Sequence, residues 1–104
     1  MSGYLEFPSK PVDATRPLVF DFTSAVPTGV TIASATATVS VWSGTDSNPS
    51  AMLSGSPSVS GLQVTQVVTA GVNGVVYVIE VDATGSDGNI YPRSGFLAVT
   101  TDTF

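Results

Sequence analysis

From Pro17 onward, apolar and polar residues alternate with a period of two, and the apolar ones are mostly valine, isoleucine or aromatic. That is the pattern of strands buried on one face. Residues 18–22 place Leu18, Phe20 and Phe22 together, and Pro27, Thr28 and Gly29 then break the run. Residues 32–42 form the clearest strand. Ala33, Ala35, Ala37, Val39 and Val41 share one side, and Ser34, Thr36, Thr38, Ser40 and Trp42 the other. Small residues on the inner side predict a second sheet at close approach, and the threonine-rich alternation argues against a helix. Residues 43–61 are rich in Ser, Gly and Pro and predict a long loop, with at most a short edge strand near 51–53. Further strands are predicted at 62–69, 75–83 and 90–101, separated by Asn73-Gly74, which asks for positive φ, and by a turn over 84–88. In 75–83, Tyr77, Ile79, Val81 and Ala83 face one way, and Val76, Val78, Glu80 and Asp82 the other. Pro92 and Gly95 predict an edge position or a bulge for the last strand.

Six or seven short strands without a helical stripe predict an all-β fold, a single β-sandwich over residues 18–104. Residues 74–81 also resemble the immunoglobulin or fibronectin strand in which an early tyrosine caps the preceding loop through its hydroxyl. Tyr77 is either that tyrosine or an ordinary half-buried strand residue. Residues 1–17 differ from the rest, with three of the seven prolines and two of the three cations. Proline cannot donate to a sheet ladder, so this segment reads as an extended N-terminal arm or an edge strand. Its apolar residues Tyr4, Leu5, Phe7 and Val12 need cover, either from their own domain or from a neighbouring subunit.

Composition narrows the chemistry. The chain has 104 residues, the length of one domain. Charged residues make up 11%, against roughly 25% in an ordinary soluble domain, while Ser and Thr number 27. The polar surface is therefore mostly hydroxyl and backbone. Eight acids oppose Lys10, Arg16 and Arg93, for a net charge of −5. Three dispersed cations make neither a nucleic-acid footprint nor an anionic-membrane footprint. No segment approaches the ~18 apolar residues of a membrane span. The start, Met1 to Pro8, has neither the cationic nor the apolar stretch of a secretory signal, which predicts synthesis and folding in a cytoplasm.

Zero histidines and zero cysteines remove the commonest general base, the commonest metal ligand and all thiol chemistry. A serine nucleophile would need a lysine base, and the single lysine lies in the proline-flanked arm. No phosphate-binding loop is present. Glu80 and Asp82, at i and i+2 on a strand, point the same way at roughly 6.5–7 Å, near the carboxylate spacing of inverting glycosidases. Their face is shared with valines instead of a sugar-binding row of aromatics, so they read as two acids on a solvated face. Asp82, Asp87 and Asn89, or Asp46 and Asn48, are the candidates for a calcium site, but neither group has the spacing of a dedicated loop, and Asp87-Gly88 reads as turn chemistry. No catalytic residue, cofactor or metal ligand is expected. Trp42, the single tryptophan, is a core residue, a protein-interface anchor or a sugar platform.

A hydroxyl-rich surface nearly free of Lys and Glu is cheap to desolvate, which predicts a chain that works packed among other proteins. The expected contacts are Tyr4, Leu5, Phe7, Lys10, Arg16 and Trp42, with Lys10 and Arg16 facing acidic neighbours. Phe20-Asp21-Phe22-Thr23, then 29–39 from Gly29 to Val39, the stretch Val64-Thr65-Gln66, the run Gly71 to Tyr77, the turn of 84–88 and Arg93-Ser94 resemble, in that order, the small fibre-tail adaptor proteins of tailed bacteriophages. The resemblance spans roughly residues 18–100. It implies an immunoglobulin-like virion protein without catalytic residues, located at the tail or head–tail junction. Its implied partners are other tail, neck or fibre subunits and copies of itself in a ring or oligomer. Two features depart from it: Ala70-Gly71 stands where members carry paired glycines, and the arm before Pro17 has no counterpart. Rival readings are a capsid decoration protein and a carbohydrate-binding module built on Trp42.

Overall fold

A computed structural model describes residues 4–101, with side chains described from Glu6 onward. Eight strands follow in order: β1 (Tyr4–Glu6), β2 (Lys10–Pro11), β3 (Arg16–Asp21), β4 (Ile32–Ser43), β5 (Leu53–Ser60), β6 (Gln63–Val68), β7 (Val76–Gly85) and β8 (Ile90–Thr100). One 3-10 turn, Pro49–Met52, joins β4 to β5. The protein is all-β, in two sheets. The larger has the order β1-β8-β7-β4 with β2 also on β8, and the smaller the order β3-β6-β5.

The alternation in the sequence builds one shared core. Leu18 and Phe20 of β3 and Val64 and Val68 of β6 meet Tyr77, Ile79, Val81 and Ala83 of β7 and Leu97 and Val99 of β8. Each of these is nearly or wholly removed from water, which at about 25 cal/mol per Å² is the main force joining the sheets. Ala35, Ala37, Val39 and Val41 of β4 pack against the same core, half-buried, and β4 lies beside β5 of the opposite sheet. Small inner side chains let the two layers approach there, as the sequence predicts. Ala33 differs: a register shift between Ile32 and Ser34 buries Ile32 and turns Ala33 outward.

Two predicted elements need correction. The later part of the expected loop 43–61 is the eight-residue strand β5, antiparallel to β6. Its Ser, Gly and Pro residues read as turn formers, but at a sheet edge the backbone pairs on one side only and the side chains meet water. A register shift between Ser54 and Ser58 absorbs Gly55 and Pro57. Fully buried Gln66 spans the gap by donating from Nε2 to the Gly55 carbonyl at 3.2 Å and the Val67 carbonyl at 2.8 Å.

The last strand, expected at an edge or bulged, is instead interior and regular, between β7 and the short parallel strands β1 and β2. Pro92 is tolerated because, among the described residues, β1 first covers β8 at Ser94 and no strand pairs with the free flank of Pro92. Gly95 is required for space. A Cβ there would run into the Phe7 ring, which reaches over β8 and meets Phe20 edge-on at a centroid distance of 5.3 Å.

Candidate interaction site

The arm's charged residue is the largest departure from expectation. Lys10 is fully buried, and its Nζ donates to the carbonyls of Pro11 (2.7 Å), Val12 (3.2 Å) and Ala14 (2.7 Å). These are carbonyls of the turn that carries the chain from β2 to β3, and the ammonium gathers them as a bound cation would. Burial, and then the nearby Arg16, push the Lys10 pKa down, while Asp13 pulls it up. Phe7 is half-buried against Gly95 and Phe20. Of the expected contact residues, Phe7 and Lys10 therefore make their contacts inside their own chain. Arg16 is exposed at the start of β3. Tyr4 and Leu5 have their backbone in β1 on β8, and their side chains lie outside the described residues.

Trp42 is not a core residue. It is 67% exposed on the outer face of the larger sheet, at the register shift that ends β4, and its ring meets Phe96 edge-on at 5.3 Å. Strand register sets what surrounds it. Ser40 of β4, Val78 of β7, Phe96 of β8 and Glu6 of β1 fall in one row across the sheet. The next rows hold Thr38, Glu80 and Ser94, then Thr36, Asp82 and Pro92. The outer face thus carries an aromatic end and an acidic middle.

Glu80 and Asp82 are neighbours, as their spacing predicts. A hydrogen bond to Asp82, partial burial and the Asp82 charge together raise the Glu80 carboxyl above the ordinary glutamate range. The buried Asp82 Oδ1 has no hydrogen-bond partner. The two adjacent acids form an electrostatic feature of the outer face. Among the described residues no group of three or more His, Cys, Asp or Glu is placed to hold a metal ion. Asp87 and Asp46 serve turns. Asp87 accepts from the Asn89 amide (3.1 Å) and the Tyr91 hydroxyl (2.6 Å), bonds that lower its pKa. Asp46 accepts from the Asn48 amide at 2.9 Å and from the Tyr77 hydroxyl at 2.7 Å.

Tyr77 behaves as the loop-capping tyrosine. Its side chain is fully buried, and its hydroxyl accepts from the Val72 amide, five residues earlier, at 2.8 Å while donating to Asp46. One phenol thereby ties the loop after β4 to the loop before β7. Burial, followed by the bond to Asp46, raises its pKa. In the capped loop Ala70 has φ of 53° and Gly71 of 99°. The departure from paired glycines thus leaves an alanine in the left-handed region, a conformation that costs an L residue about 1 kcal/mol. Gly71 has no such freedom to change, because a Cβ would meet Val99 and Met52. Sequence reasoning missed Asp46 as the phenol's partner and Gln66 as a buried polar residue. The single lysine, set between prolines in a chain almost free of charge, was the one available hint that Lys10 is structural.

The fold is thus two packed sheets that present Trp42, beside Phe96, on the outer face of the larger one. A family model described as Podophage GP4 fiber-tail adaptor protein gp77 matches residues 10–98, and the chain belongs to that family of phage tail structural proteins. No curated protein and no solved structure matches the chain. The matched span begins at Lys10, so the second half of the arm, including the lysine-capped turn, is part of the family's domain, while β1 and Phe7 lie before it.

Proposed function

We propose that several copies of this chain, each an immunoglobulin-like sandwich, join tail or head–tail components of a podophage virion to its fibres without catalysing a reaction. The family match over residues 10–98 carries this reading. The Tyr77 hydroxyl cap supports the immunoglobulin-like assignment. Trp42, a large indole propped by Phe96 and open to solvent, has the character of an interface anchor, since such anchors are typically aromatic or arginine. Arg16, and the β1 residues Tyr4 and Leu5, are the further proposed contacts. The chain is made in the host cytoplasm and ends in the tail.

Virions assembled without this chain test the proposal. The expected particles have tails that lack fibres in electron micrographs. Wild-type protein added in trans restores the fibres, and Trp42→Ala restores them at least tenfold less well. Fully fibred particles in its absence, labelling of the capsid shell instead of the tail, or glycan binding abolished by Trp42→Ala would each overturn it.

A further inference from the structure

The edges of the two sheets are not equally protected. The β3 edge carries Arg16, Pro17 and Asp21. The β5 edge is broken by Gly55, Pro57 and a register shift. The β8 flank is covered by β1 and β2, joined through Pro8. Charges, prolines, bulges and covering segments are the devices by which proteins keep sheet edges from pairing with other chains. The remaining edge, β4, has no charge, no proline and, among the described residues, no covering strand. Its two register shifts lie only at its ends, between Ile32 and Ser34 and between Val41 and Ser43. It is the longest strand, 12 residues, pairs only with β7 among the described residues, and contains no charge, proline or glycine from Ile32 to Ser43.

We propose that β4 is an assembly edge whose occupant is β4 of a second copy of this chain, paired antiparallel about a two-fold axis at Ala37. The sequence itself selects this partner. Reflected about Ala37, Ala35 faces Val39, Thr36 faces Thr38 and Ser34 faces Ser40, so apolar meets apolar on the inner face and hydroxyl meets hydroxyl on the outer. A two-fold contact demands this self-complementarity, and opposed threonines are a favourable cross-strand pair. Both register shifts of β4 fall outside 34–40, so the strand is regular where the second copy would lie.

Electrostatics allows the same contact. Each copy carries −5, which opposes association in general. The acids nearest the seam, Glu80 and Asp82, sit one strand inward, about 14 Å from their counterparts at the usual strand spacing. That exceeds the Debye length of about 8 Å at physiological ionic strength. A seam of one strand pair is smaller than a standard stable interface, so the dimer forms at high local concentration and tightens with salt.

This inference rests on the multi-copy reading above and is tested apart from it. The chain has no cysteine, so single introduced thiols report cleanly. Thr36→Cys and Thr38→Cys protein, mixed and mildly oxidised, is expected to give a disulfide-linked dimer at least fivefold faster than either variant alone. Wild-type protein is expected to show a concentration-dependent dimer by sedimentation, and Thr36→Lys/Thr38→Lys to lose it while keeping its circular dichroism and melting transition. A wild-type chain that stays monomeric at millimolar concentration, or crosslinking with no preference for the mixed pair, would overturn the β4 seam. Fibre restoration reads the adaptor role by itself, so protein that restores fibres yet never dimerises removes only this inference.

Discussion

At the scale of single residues, the most consequential side chain is the one that composition would place on the surface. Lys10 replaces water as the partner of three turn carbonyls. Hydrogen bonds to a charged donor contribute about 1.5–3 kcal/mol, and buried acceptors left bare cost a similar amount. Lys10→Met keeps the aliphatic stem but takes the charged donor from the Val12 and Ala14 carbonyls, the Pro11 carbonyl keeping the Ala14 amide. It is expected to lower stability by about 2 kcal/mol and the melting temperature by roughly 10 °C, read by calorimetry. Glu80 works in the other direction. Its folded pKa lies above its unfolded one, so the folded state binds more protons through the interval above the ordinary glutamate value. The stability this gives is complete below that interval and lost as pH rises through it. Glu80→Gln should therefore stabilise the fold at pH 7 by about 0.5 kcal/mol, a small figure because the pair is partly solvent-screened. The gain should vanish near pH 4 in matched denaturant titrations. Asp21 and Asp87, whose pKa values are lowered by hydrogen bonds from Thr23 and from Tyr91, respectively, contribute stability that is lost as pH falls, and they cancel in that comparison.

At the scale of elements, the arm and the last strand explain each other. β8 reads in isolation as a damaged strand because it contains Pro92 and Gly95. Among the described residues nothing pairs on the free flank of Pro92, and Gly95 is the floor on which Phe7 rests. Gly95→Ala should push Phe7 off the sheet at a cost of about 1–3 kcal/mol, the usual range for overpacking. Protease cleavage of residues 4–12 should quicken at least tenfold while β3 to β8 stay folded, and unchanged cleavage would show that the arm is not held by this contact. β3, β6 and β7, and β4 between its two register shifts, were legible because each covers one face in alternation, whereas β5 has only Met52 buried just before it and the partly covered Leu53 and Pro57. Periodicity carries no signal where there is almost no buried face.

At the scale of the whole molecule, the same scarcity of charge has two outcomes. It leaves no cationic footprint for nucleic acid, and it leaves β4 free of the charged groups that resist desolvation. Three of the four sheet edges are protected, so a protein that used none of its surface for assembly would be expected to protect the fourth. Family membership supplies the setting, a phage tail. The geometry supplies candidate surfaces on it: the propped indole on one face and the bare strand at the adjoining edge.

The sequence alone determined the all-β class, the faces of the regular strands, the loop-capping role open to Tyr77, and the resemblance to tail adaptors. Those properties are local, since two-residue periodicity and turn chemistry are written in neighbouring residues. Only the tertiary structure decided that Lys10 is buried, that Gly95 makes room for Phe7, that Asp46 completes the Tyr77 cap, that Trp42 is exposed beside Phe96, and that β4 ends its sheet. Each of these depends on residues brought together from distant parts of the chain, where burial and pairing are set by sheet order and not by the adjacent sequence.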